Sequence, residues 1–523
     1  MTRPPAGIPH ADWEATPTSV CALLLEMVDQ NRELQVQNQS LVDQNQCLTD
    51  RVAALATRVA QLEEQKGRSS RNSSQPPSSD GPGQRGSGFG SSGSSGSGQG
   101  DGPRRKRGGQ LGHPGHGRDL LPSELCDQEH DHLPDQCGQC GRSLSGAAAG
   151  AAPWRHQIVD IPPVTPIVVE HRLHQLICPC CQSATRAVLP AAVESGGYGP
   201  RLTALVGTLG STYHLTHRKI QRLMDEAFGV RISTGGISCI RRRLNGLLEQ
   251  PAVEAHLWLQ GQPILQADET SYPVGNADRN NPDNRSGWLW VLRNASVTFF
   301  DLQLSRSGAV AQPLIGEEFR GILICDRYGA YNCLPLEQRQ FCWAHILRDL
   351  VAMAERSGAS AEIGQELLSL QGQLFDRWHE WLDQRISRAE LEAATTEIRQ
   401  AFAAKLEWAI GLGSNPGETT PLARTLGTCR ALLKSAAALW TFLCHPDLEP
   451  TNNASERALR RAVIARKLSL GVQSEWGGQL VARLLTVTTS LEQQGRDAMA
   501  FLMELMNAHR ETRPLPSLIP QAG

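Results

Sequence analysis

One stretch of the chain cannot contribute to any hydrophobic core, and it divides the sequence in two. Between Gly67 and Gly117 serine, glycine, proline and charged residues dominate, and large apolar residues are nearly absent. This composition predicts a flexible linker, because such a segment cannot offset the entropy that is lost on ordering. The whole chain has 523 residues, too many for a single core. We therefore expect a multidomain protein.

Ahead of the linker, a heptad repeat predicts a long helix with a narrow apolar seam. After Met27, leucine recurs at every seventh position, at Leu34, Leu41, Leu48, Leu55 and Leu62. The companion seam positions are Leu24, Asn31, Asn38, Asn45, Val52 and Val59. This pattern is typical of a coiled coil over residues 21–65, and asparagine in the seam favours a parallel, in-register dimer. The alternative is a helix that lies on the protein's own core, which the narrow seam and glutamine-rich flanks disfavour.

Charge and cysteine usage narrow the class of protein. The formal net charge is −2, so binding of a polyanion would depend on local basic patches. The 14 cysteines are too sparse for a disulfide scaffold. We find neither a signal peptide nor an apolar run long enough to span a bilayer. We therefore expect a cytoplasmic protein with no membrane partner, in which paired cysteines more often bind metal than form disulfides.

Two C-x-x-C motifs follow the linker. Their cysteines are Cys137, Cys140, Cys178 and Cys181. Two residues between thiols let one tight turn present both sulfur atoms to a tetrahedral ion, and two such turns form a closed, structural zinc site. The motifs lie further apart than in a common zinc ribbon, and a hairpin with strands at residues 158–159 and 167–169 would absorb the difference. A redox role is less favoured because no βαβ pattern surrounds the motifs, and Cys180 is an alternative ligand.

A pair of helices with basic residues is predicted next. The first begins near Leu215 and reaches a C-cap signal at Gly229, and the second opens near Ser233. The second helix carries Arg241, Arg242 and Arg243. Two short helices joined through a glycine turn resemble a helix-turn-helix that enters the major groove of DNA. A packed helical hairpin with a charged outer face fits the same spacing, so both interpretations stand.

Two aspartates follow predicted strands in the second half of the chain. A short strand-like run at residues 263–267 ends at Asp268, and the apolar run at residues 321–325 ends at Asp326. Two further strands are predicted between them, at residues 287–292 and 297–300. A continuous apolar run is typical of a strand buried on both faces. Ligands gather at the carboxyl ends of such strands in α/β sheets.

A third acid, Glu456, stands in the first turn of a helix that is predicted to begin at about residue 453. Two divalent ions at a phosphoryl-transfer site need several carboxylate oxygens, which two aspartates alone do not supply. Each acid also has a simpler interpretation. Asn453 and Glu456 fit a capping box, and either aspartate could stabilise a turn. The order of two strand-borne aspartates and one helix-borne glutamate is nevertheless hard to obtain by accident.

In its motifs the chain resembles transposases of the insertion sequence 66 family, which belong to the DDE group. The resemblance covers nearly the whole chain and rests on residues 71–80, residues 108–113, the two C-x-x-C motifs, Asp268-Glu269-Thr270, residues 326–331, residues 342–345 and residues 450–457. It implies a ribonuclease-H-like catalytic core in which Asp268, Asp326 and Glu456 bind two Mg²⁺ or Mn²⁺ ions. It also implies one structural Zn²⁺, and it places Trp343 and His345 close to the site. The long Gly/Ser linker and the additional Cys180 depart from the family pattern.

The resemblance and the composition together predict the domain organisation of a multidomain α+β protein. The expected segments are an N-terminal coiled coil (1–66), a basic linker (67–117), a zinc-ribbon-like module (118–192), a helix-turn-helix-like region (193–255), the first part of the catalytic core (256–345), a helical insertion (346–445), the Glu-bearing part of the core (446–475) and a C-terminal helical region with a tail (476–523).

The implied function is metal-dependent cleavage at transposon ends, followed by strand transfer into target DNA. Three basic groups would hold the DNA phosphates. They are Arg104, Arg105, Lys106 and Arg107 in the linker, Arg241, Arg242 and Arg243 in the second helix, and Arg457, Arg460, Arg461, Arg466 and Lys467 in the helix that carries Glu456. The linker group fits a solvated tether equally well. Expected partners are DNA, a second copy through the coiled coil, and accessory transposition proteins, at the nucleoid.

Other functions stay open on the sequence alone. A non-catalytic, zinc-containing dimeric DNA-binding regulator explains the first half of the chain but leaves the strand-borne aspartates without a role. Another ribonuclease-H-like nuclease, acting on RNA or branched DNA, would use the same three acids. A transposase that binds DNA but has lost mobility would have the same sequence features.

Overall fold

The computed structural model describes residues 4–67, 118–148, 150–190, 193–194 and 196–520, with the side chains of all but residue 54 and residues 56–67. The chain forms two compact units. One takes the described parts of residues 1–87, 196–214 and 240–523, and the other takes those of residues 88–195 and 215–239. Helices and a mixed sheet confirm the predicted α+β class. The predicted linker from residue 68 onward, with its basic run at 104–107, lies outside the described residues.

Helices make up most of the described chain. They are α1 (His10–Glu14), α2 (Thr18–Gly67), α3 (Pro200–Ser211), α4 (His217–Phe228), α5 (Thr234–Leu247), α6 (Glu249–Gln260), α7 (Gly308–Ile315), α8 (Trp343–Ala354), α9 (Ala359–Leu382), α10 (Arg388–Gly411), α11 (Pro421–Lys434), α12 (Thr441–Cys444), α13 (Asn453–Ser469), α14 (Glu475–Gln493) and α15 (Ala498–Arg510). Across the described residues, none of these helices has the length and apolarity that crossing a membrane requires.

The strands are β1 (Gln175–Ile177), β2 (Ala184–Arg186), β3 (Ile264–Tyr272), β4 (Gly287–Arg293), β5 (Thr298–Gln303), β6 (Ile322–Cys325) and β7 (Arg339–Phe341). Five of them form one sheet in the order β5-β4-β3-β6-β7. β3, β4 and β5 pair antiparallel, whereas β6 runs parallel to β3 and β7 runs parallel to β6. The strands predicted at residues 287–292, 297–300 and 321–325 are confirmed as β4, β5 and β6.

Two details of the sheet differ from the sequence prediction. β3 is nine residues long and continues to Tyr272, so Asp268 lies inside this strand and not after its end. Pairing with β4 extends the strand, because Asp268 stands opposite Val291 in that register. β7 has only three residues, all buried. Its first two, Arg339 and Gln340, are polar, and so the apolar pattern gave no signal for this strand.

α13 and α14 cover one face of the sheet. Their apolar residues Ala458, Leu459, Ala462, Ala482 and Leu485 share a buried cluster with Tyr272, Leu289, Val291 and Phe300 of the strands. The neighbouring Phe299 stacks on His256 of α6, with ring centroids 4.3 Å apart. Because successive residues of a strand point to opposite faces, α6 packs on the other side of the sheet. The sheet therefore lies between helical layers.

α14 also protects the edge strand β5. The amide N–H of Phe300 donates to Thr486 Oγ1 at 2.9 Å, and the N–H of Thr298 donates to Ser490 Oγ at 3.0 Å. A free edge would present these donors to other chains, which is a route to unwanted pairing. Hydroxyl side chains on α14 satisfy them instead, and so the buried helix is fixed in register with the sheet.

The helix predicted over residues 21–65 is confirmed as α2. Among the heptad leucines after Met27, Leu34, Leu41 and Leu48 are more than half exposed, at 55%, 55% and 56%, whereas Leu24 at a companion position is only partly exposed. From Leu34 to Leu48 the heptad leucines are therefore not packed on the protein's own core. A helix of this length gains most of its stability from packing, so an uncovered seam is compatible with a partner helix.

The smaller unit contains the cysteine motifs and only short strands. β1 and β2 form an antiparallel hairpin, with Ile177 opposite Ala184, around the second motif. The strands predicted at residues 158–159 and 167–169 are wrong, because this segment has no paired strand and Ile158 and Ile167 are 84% and 93% exposed. The apolar runs are interrupted by three prolines, at positions 162, 163 and 166, which cannot donate to a ladder.

The two helices predicted before the sheet are confirmed as α4 and α5. Thr216 caps α4 by accepting from the N–H of Lys219, and Gly229 ends it in a left-handed conformation with φ of 62°. Glycine suits this position because it has no Cβ to strain. Entry of α5 into a DNA groove stays a prediction.

Candidate active site

Asp268 and Asp326 come from neighbouring strands at the same level of the sheet. The parallel register of β3 and β6 sets Gln266 opposite Ile324. Asp268 stands two residues after Gln266, and Asp326 stands two residues after Ile324. Adjacent strands lie roughly 4.8 Å apart. The pairing therefore brings together two acids that are distant in sequence.

The pKa of Asp268 reveals its carboxyl neighbours. Burial raises this pKa well above its ordinary value, and the negative charges of Glu269, Glu456 and Asp326 raise it further. The N–H of Glu269 donates to Asp268 Oδ1 at 2.9 Å and opposes the shift only in part. Such repulsion is large only at short range and away from bulk water. The charges of the other two acids predicted from the sequence thus contribute, after burial and Glu269, to the raised pKa of Asp268.

Asp326 stabilises a turn as well as facing the site. Its Oδ1 accepts from the N–H of Tyr328 at 2.8 Å, which is the simpler role considered from the sequence. Burial raises the pKa of Asp326, whereas this N–H and then Arg306, Arg327 and Arg348 hold it down. The turn therefore engages one oxygen of the carboxylate, and arginines lie around it.

The start of α13, the helix that carries Glu456, is fastened to β3 beside Asp268. Asn452, which is fully buried, donates from Nδ2 to the carbonyl of Ala267 at 2.7 Å, next to Asp268. The capping interpretation is wrong for Glu456, because no side-chain hydrogen bond caps α13. Its carboxylate accepts instead from Nη2 of Arg348, at 2.6 Å.

The segment at residues 342–345 joins the end of β6 to the start of α13. The N–H of Cys342 donates to the carbonyl of Cys325, immediately before Asp326, at 2.9 Å. Its sulfur accepts from the N–H of Asn452 at 3.1 Å. The N–H of Trp343 donates to the carbonyl of Pro450 at 2.9 Å. These bonds connect the end of β6, which Asp326 follows, to the start of α13, which carries Glu456.

Trp343 and His345 have different surroundings. The ring of Trp343 is buried against Phe402 and Trp440 and packs into the helical insertion. His345 is close to the acids, with Nε2 3.8 Å from Glu456 Oε1. Burial first, and then nearby arginines, lower the pKa of His345 to about 3. His345 is therefore neutral at pH 7, and its approach to Glu456 is not an ion pair there.

Arg348 is the site residue that sequence reasoning missed. It lies on α8 and is 108 positions away from Glu456 along the chain. The two side chains are 21% and 26% exposed, so their ion pair is partly shielded from water. One signal was present. Arg348 follows His345 by three positions, and residues at that spacing share one face of a helix.

Glu269 was also missed, although it belongs to the motif that carries Asp268. Its buried carboxylate pairs with Arg306 at 2.7 Å and accepts from the hydroxyl of Tyr331. The guanidinium of Arg306 lies 3.7 Å from the ring centroid of Tyr328. Because Asp268 and Glu269 point to opposite faces of β3, this network lies behind the aspartate. It fastens β3 to the loop that follows Asp326.

The acids fit a divalent cation in charge and in donor chemistry. Mg²⁺ and Mn²⁺ prefer carboxylate oxygens, and the mutual repulsion that raises the pKa of Asp268 is what a cation would relieve. Within the described part of the chain, however, no three His, Cys, Asp or Glu side chains are placed to hold one metal ion. The contact of Glu456 with Arg348 gives a physical reason, since that carboxylate is directed to the guanidinium.

The two cysteine motifs have the same backbone turn. In each, the N–H of the first cysteine donates to the carbonyl five residues later, and its own carbonyl accepts from the N–H four residues later, all at 2.9 Å. The residue that ends each turn is left-handed, Gly141 with φ of 70° and Gln182 with φ of 60°. The adoption of one conformation by two different sequences indicates a common requirement, the presentation of two thiols to one side.

Hydrogen bonds in these turns favour the thiolate form. Contacts with Ser183 lower the pKa of Cys181 to about 7, and the backbone N–H of Cys140 is the largest cause that lowers the pKa of Cys137. Thiolate is the form that binds zinc. The turns and their electrostatics therefore fit a metal, while the assembly of all four thiols around one ion stays a prediction.

The three arginines of α5 differ in accessibility. The guanidinium of Arg241 lies beside Gly210 of α3, and burial lowers its pKa. Arg242 is exposed and lies over the ring of Trp476, 5.1 Å from its centroid. Arg243 is half-buried. Of these three predicted DNA contacts, Arg242 has the most accessible charge.

The matches to protein families agree with this architecture. A model described as transposase IS66 family matches residues 195–480. A zinc-finger binding domain of transposase IS66 matches residues 134–182, and a family of unknown function, DUF6444, matches residues 26–119. The matched regions contain the acid-bearing sheet and both cysteine motifs, which defines a transposase with a zinc-finger domain. The chain belongs to the IS66 (insertion sequence 66) family of transposases.

Two relatives come from Sinorhizobium fredii. The uncharacterized protein y4jD is 23% identical over 413 residues, which cover 74% of this chain and 77% of the relative. The uncharacterized protein y4qI is 29% identical over 273 residues, which cover 47% of this chain and 48% of the relative. The first match spans most of both chains, and the second spans about half of each.

Proposed function

We propose that this transposase cleaves DNA at the ends of its element, and joins those ends to target DNA, at a site formed by Asp268, Asp326 and Glu456. One observation carries the proposal. After burial and Glu269, the charges of Glu456 and Asp326 raise the pKa of Asp268. The register of β3 and β6 and the bond from Asn452 to Ala267 also support an approach of the three acids, which come from β3, the residue after β6 and the first turn of α13. Such an arrangement is typical of a functional site. We also propose that the surrounding mixed sheet is a ribonuclease-H-like core.

The protein's own contribution would be positioning. The paired strands β3 and β6 would fix Asp268 and Asp326, and Asn452 would fix the helix that presents Glu456. When bound, two Mg²⁺ or Mn²⁺ ions would activate the attacking water or 3′-hydroxyl and neutralise the leaving oxygen. Hydrolysis and strand transfer differ only in the nucleophile, so one set of carboxylates would serve both steps.

The test is a cleavage and strand-transfer assay with Mg²⁺ on the flanking ends of the protein's own element. Glu456→Gln keeps the shape of the side chain and removes its charge. We expect it to lower the rate on the order of a thousandfold or more, because residues of one catalytic unit fail together. Glu492→Gln is the matched control, since Glu492 pairs with Arg461 at the surface and such pairs contribute little. Near-normal strand transfer by Glu456→Gln would remove Glu456 from the site.

We further propose that one Zn²⁺ is held by Cys137, Cys140, Cys178 and Cys181, and that it serves structure and not catalysis. A closed four-thiolate shell leaves no position for a substrate. The identical turns of the two motifs and the lowered pKa of Cys137 and Cys181 support this ligand set. DNA is the expected partner of the zinc-finger domain, together with the basic residues of α5.

We propose that α2 pairs with α2 of a second copy as a parallel coiled coil. The exposed leucine seam and the asparagines at positions 31, 38 and 45 support this pairing. Leu41→Asp should convert the dimer into a monomer in light scattering, because a charge would enter the seam. Ser40→Asp places the same charge one residue earlier, on the outer face, and should leave the dimer intact. A Leu41→Asp protein that stays dimeric would contradict the pairing.

A further inference from the structure

Two neighbouring residues of α8 hold the flanks of the carboxylate site. Arg348 donates to Glu456 at 2.6 Å, and Asp349 accepts from Arg327, the residue that follows Asp326. α8 therefore contacts both α13, which carries Glu456, and the loop that carries Asp326. Burial raises the pKa of Asp326, and the charge of Arg348 is one of the causes that oppose this shift, after the N–H of Tyr328, Arg306 and Arg327.

The guanidinium of Arg348 supplies Glu456 with the positive charge that a bound cation would otherwise supply. Among the described residues no three candidate ligands are placed around one ion, and the carboxylate of Glu456 is engaged by an arginine. The carboxylate oxygen that accepts from the guanidinium is unavailable to a cation in that direction. A cation at the site and a positive charge on Arg348 also repel each other. Metal and Arg348 must therefore compete for Glu456.

We propose that Arg348 is a positioning residue, which holds Glu456 in the metal-free protein and passes to a DNA phosphate once a divalent cation has taken this carboxylate. The inference rests on the proposed function, since it presumes that Glu456 binds metal. A released guanidinium beside the acids would still need an anionic partner, because an unpaired charge in a partly buried position is costly. The phosphate of bound DNA is the anion that the reaction brings there, and arginine suits it through its planar donors.

The first experiment measures Mn²⁺ binding to the full-length protein without DNA, by electron paramagnetic resonance. Arg348→Gln should bind Mn²⁺ roughly tenfold more tightly than wild type, the size of one charge-assisted hydrogen bond that no longer competes. Arg348→Lys keeps the charge and should bind nearly as weakly as wild type. Arg461→Gln removes a positive charge from the helix of Glu456 without touching the acids, and it should leave the affinity unchanged.

The second experiment separates this role from a purely structural one. Binding of end DNA is measured with and without Ca²⁺, which like Mg²⁺ takes carboxylate oxygens as ligands. Arg348→Gln should weaken DNA binding roughly tenfold when Ca²⁺ is present and reduce the salt dependence by about one phosphate contact. Without a cation it should have little effect, because Arg348 is then engaged by Glu456. An equal loss in both conditions would overturn the transfer to phosphate.

Failure of this inference and failure of the proposed function give different results. If Asp268→Asn and Glu456→Gln bind Mn²⁺ as wild type does, the carboxylate site itself is refuted. If those variants lose Mn²⁺ while a folded Arg348→Gln protein binds it with unchanged or lower affinity, only the role of Arg348 is overturned. Equal far-ultraviolet circular dichroism and Tm would establish that Arg348→Gln is folded, and the lysine variant provides the same test with the charge retained.

Discussion

The two candidate metal sites of this transposase are built in opposite ways. The carboxylates are held by a buried sheet, and long-range bonds such as that from Asn452 to Ala267 fix them. The cysteines are held by local turns in a unit whose strands β1 and β2 are fully exposed. Packing therefore positions the acids whether or not a metal is present. The cysteine module has little core of its own, so we expect a bound metal to supply much of its stability.

The largest expected effect is on the cysteine module. Removal of zinc with a chelator, or the change Cys178→Ser, should unfold this module, because structural zinc contributes on the order of 10 kcal/mol to such folds. Limited proteolysis within residues 118–190 would detect the loss. Cys180→Ser is the matched control and should leave the module resistant. If the chelated protein resisted proteolysis as well as the wild type does, the module would have a sufficient core of its own. The contrast between the cysteine site and the carboxylate site would then be wrong.

The next largest effect is a loss of DNA cleavage in a protein that stays folded. Asp326→Asn should lower cleavage on the order of a thousandfold or more, while the protein keeps its far-ultraviolet circular dichroism and its affinity for end DNA without a cation. The reason is that packing, and not the metal, holds β6 in place. Cleavage kinetics and a DNA-binding titration check the two halves of this expectation. If Asp326→Asn unfolded the core, the carboxylate of Asp326 would be needed for the stability of the fold. The carboxylate site would then not differ from the cysteine site in this respect.

A smaller effect, on the free energy of unfolding, is expected for the Glu269–Arg306 pair. Glu269→Gln leaves the partly buried Arg306 with a neutral partner and should reduce the free energy of unfolding by about 2 kcal/mol. The loss is smaller than for a fully buried pair because Arg306 is 32% exposed and because burial, which raises the pKa of Glu269, offsets part of the pairing. Denaturant titration measures the change. Glu504→Gln, which alters the exposed pair with Arg513, should change it by less than about 1 kcal/mol. Equal effects of the two changes would show that the network does not support the site.

The smallest effect has the opposite sign. The pKa of Asp268 is raised in the folded protein, so the ionised carboxyl destabilises the fold as the pH rises through that value. Asp268→Asn should therefore raise the Tm of the metal-free protein at pH 7 by roughly 2–4 °C. The gain should vanish only below about pH 3, where the carboxyl group is protonated in the unfolded state as well, because an unfolded aspartic acid has a pKa of about 3.9. A Tm that falls at pH 7 would mean that the carboxylate stabilises the fold.

The sequence predicted those parts of the site that depend on local pattern. The apolar run before Asp326 is a strand, and the helix with Glu456 begins at Asn453, as predicted. It could not predict that β3 continues past Asp268, because pairing with β4 extends that strand. Arg348 and Glu456 meet only through the tertiary fold. The apolar residues near Ile158 and Ile167 predicted strands, but the prolines between them leave the segment without a pairing partner.

The most direct measurement uses Fe²⁺ in place of the native cation. With ascorbate and peroxide, bound iron generates hydroxyl radicals that cut the polypeptide within a short distance of the ion. The account predicts three clusters of cuts in the core, close to Asp268, Asp326 and Glu456, which disappear together in Glu456→Gln and on competition with excess Mg²⁺. Cuts near one or two of these residues only, or a pattern that Glu456→Gln leaves unchanged, would contradict the convergence of the three acids on one metal site.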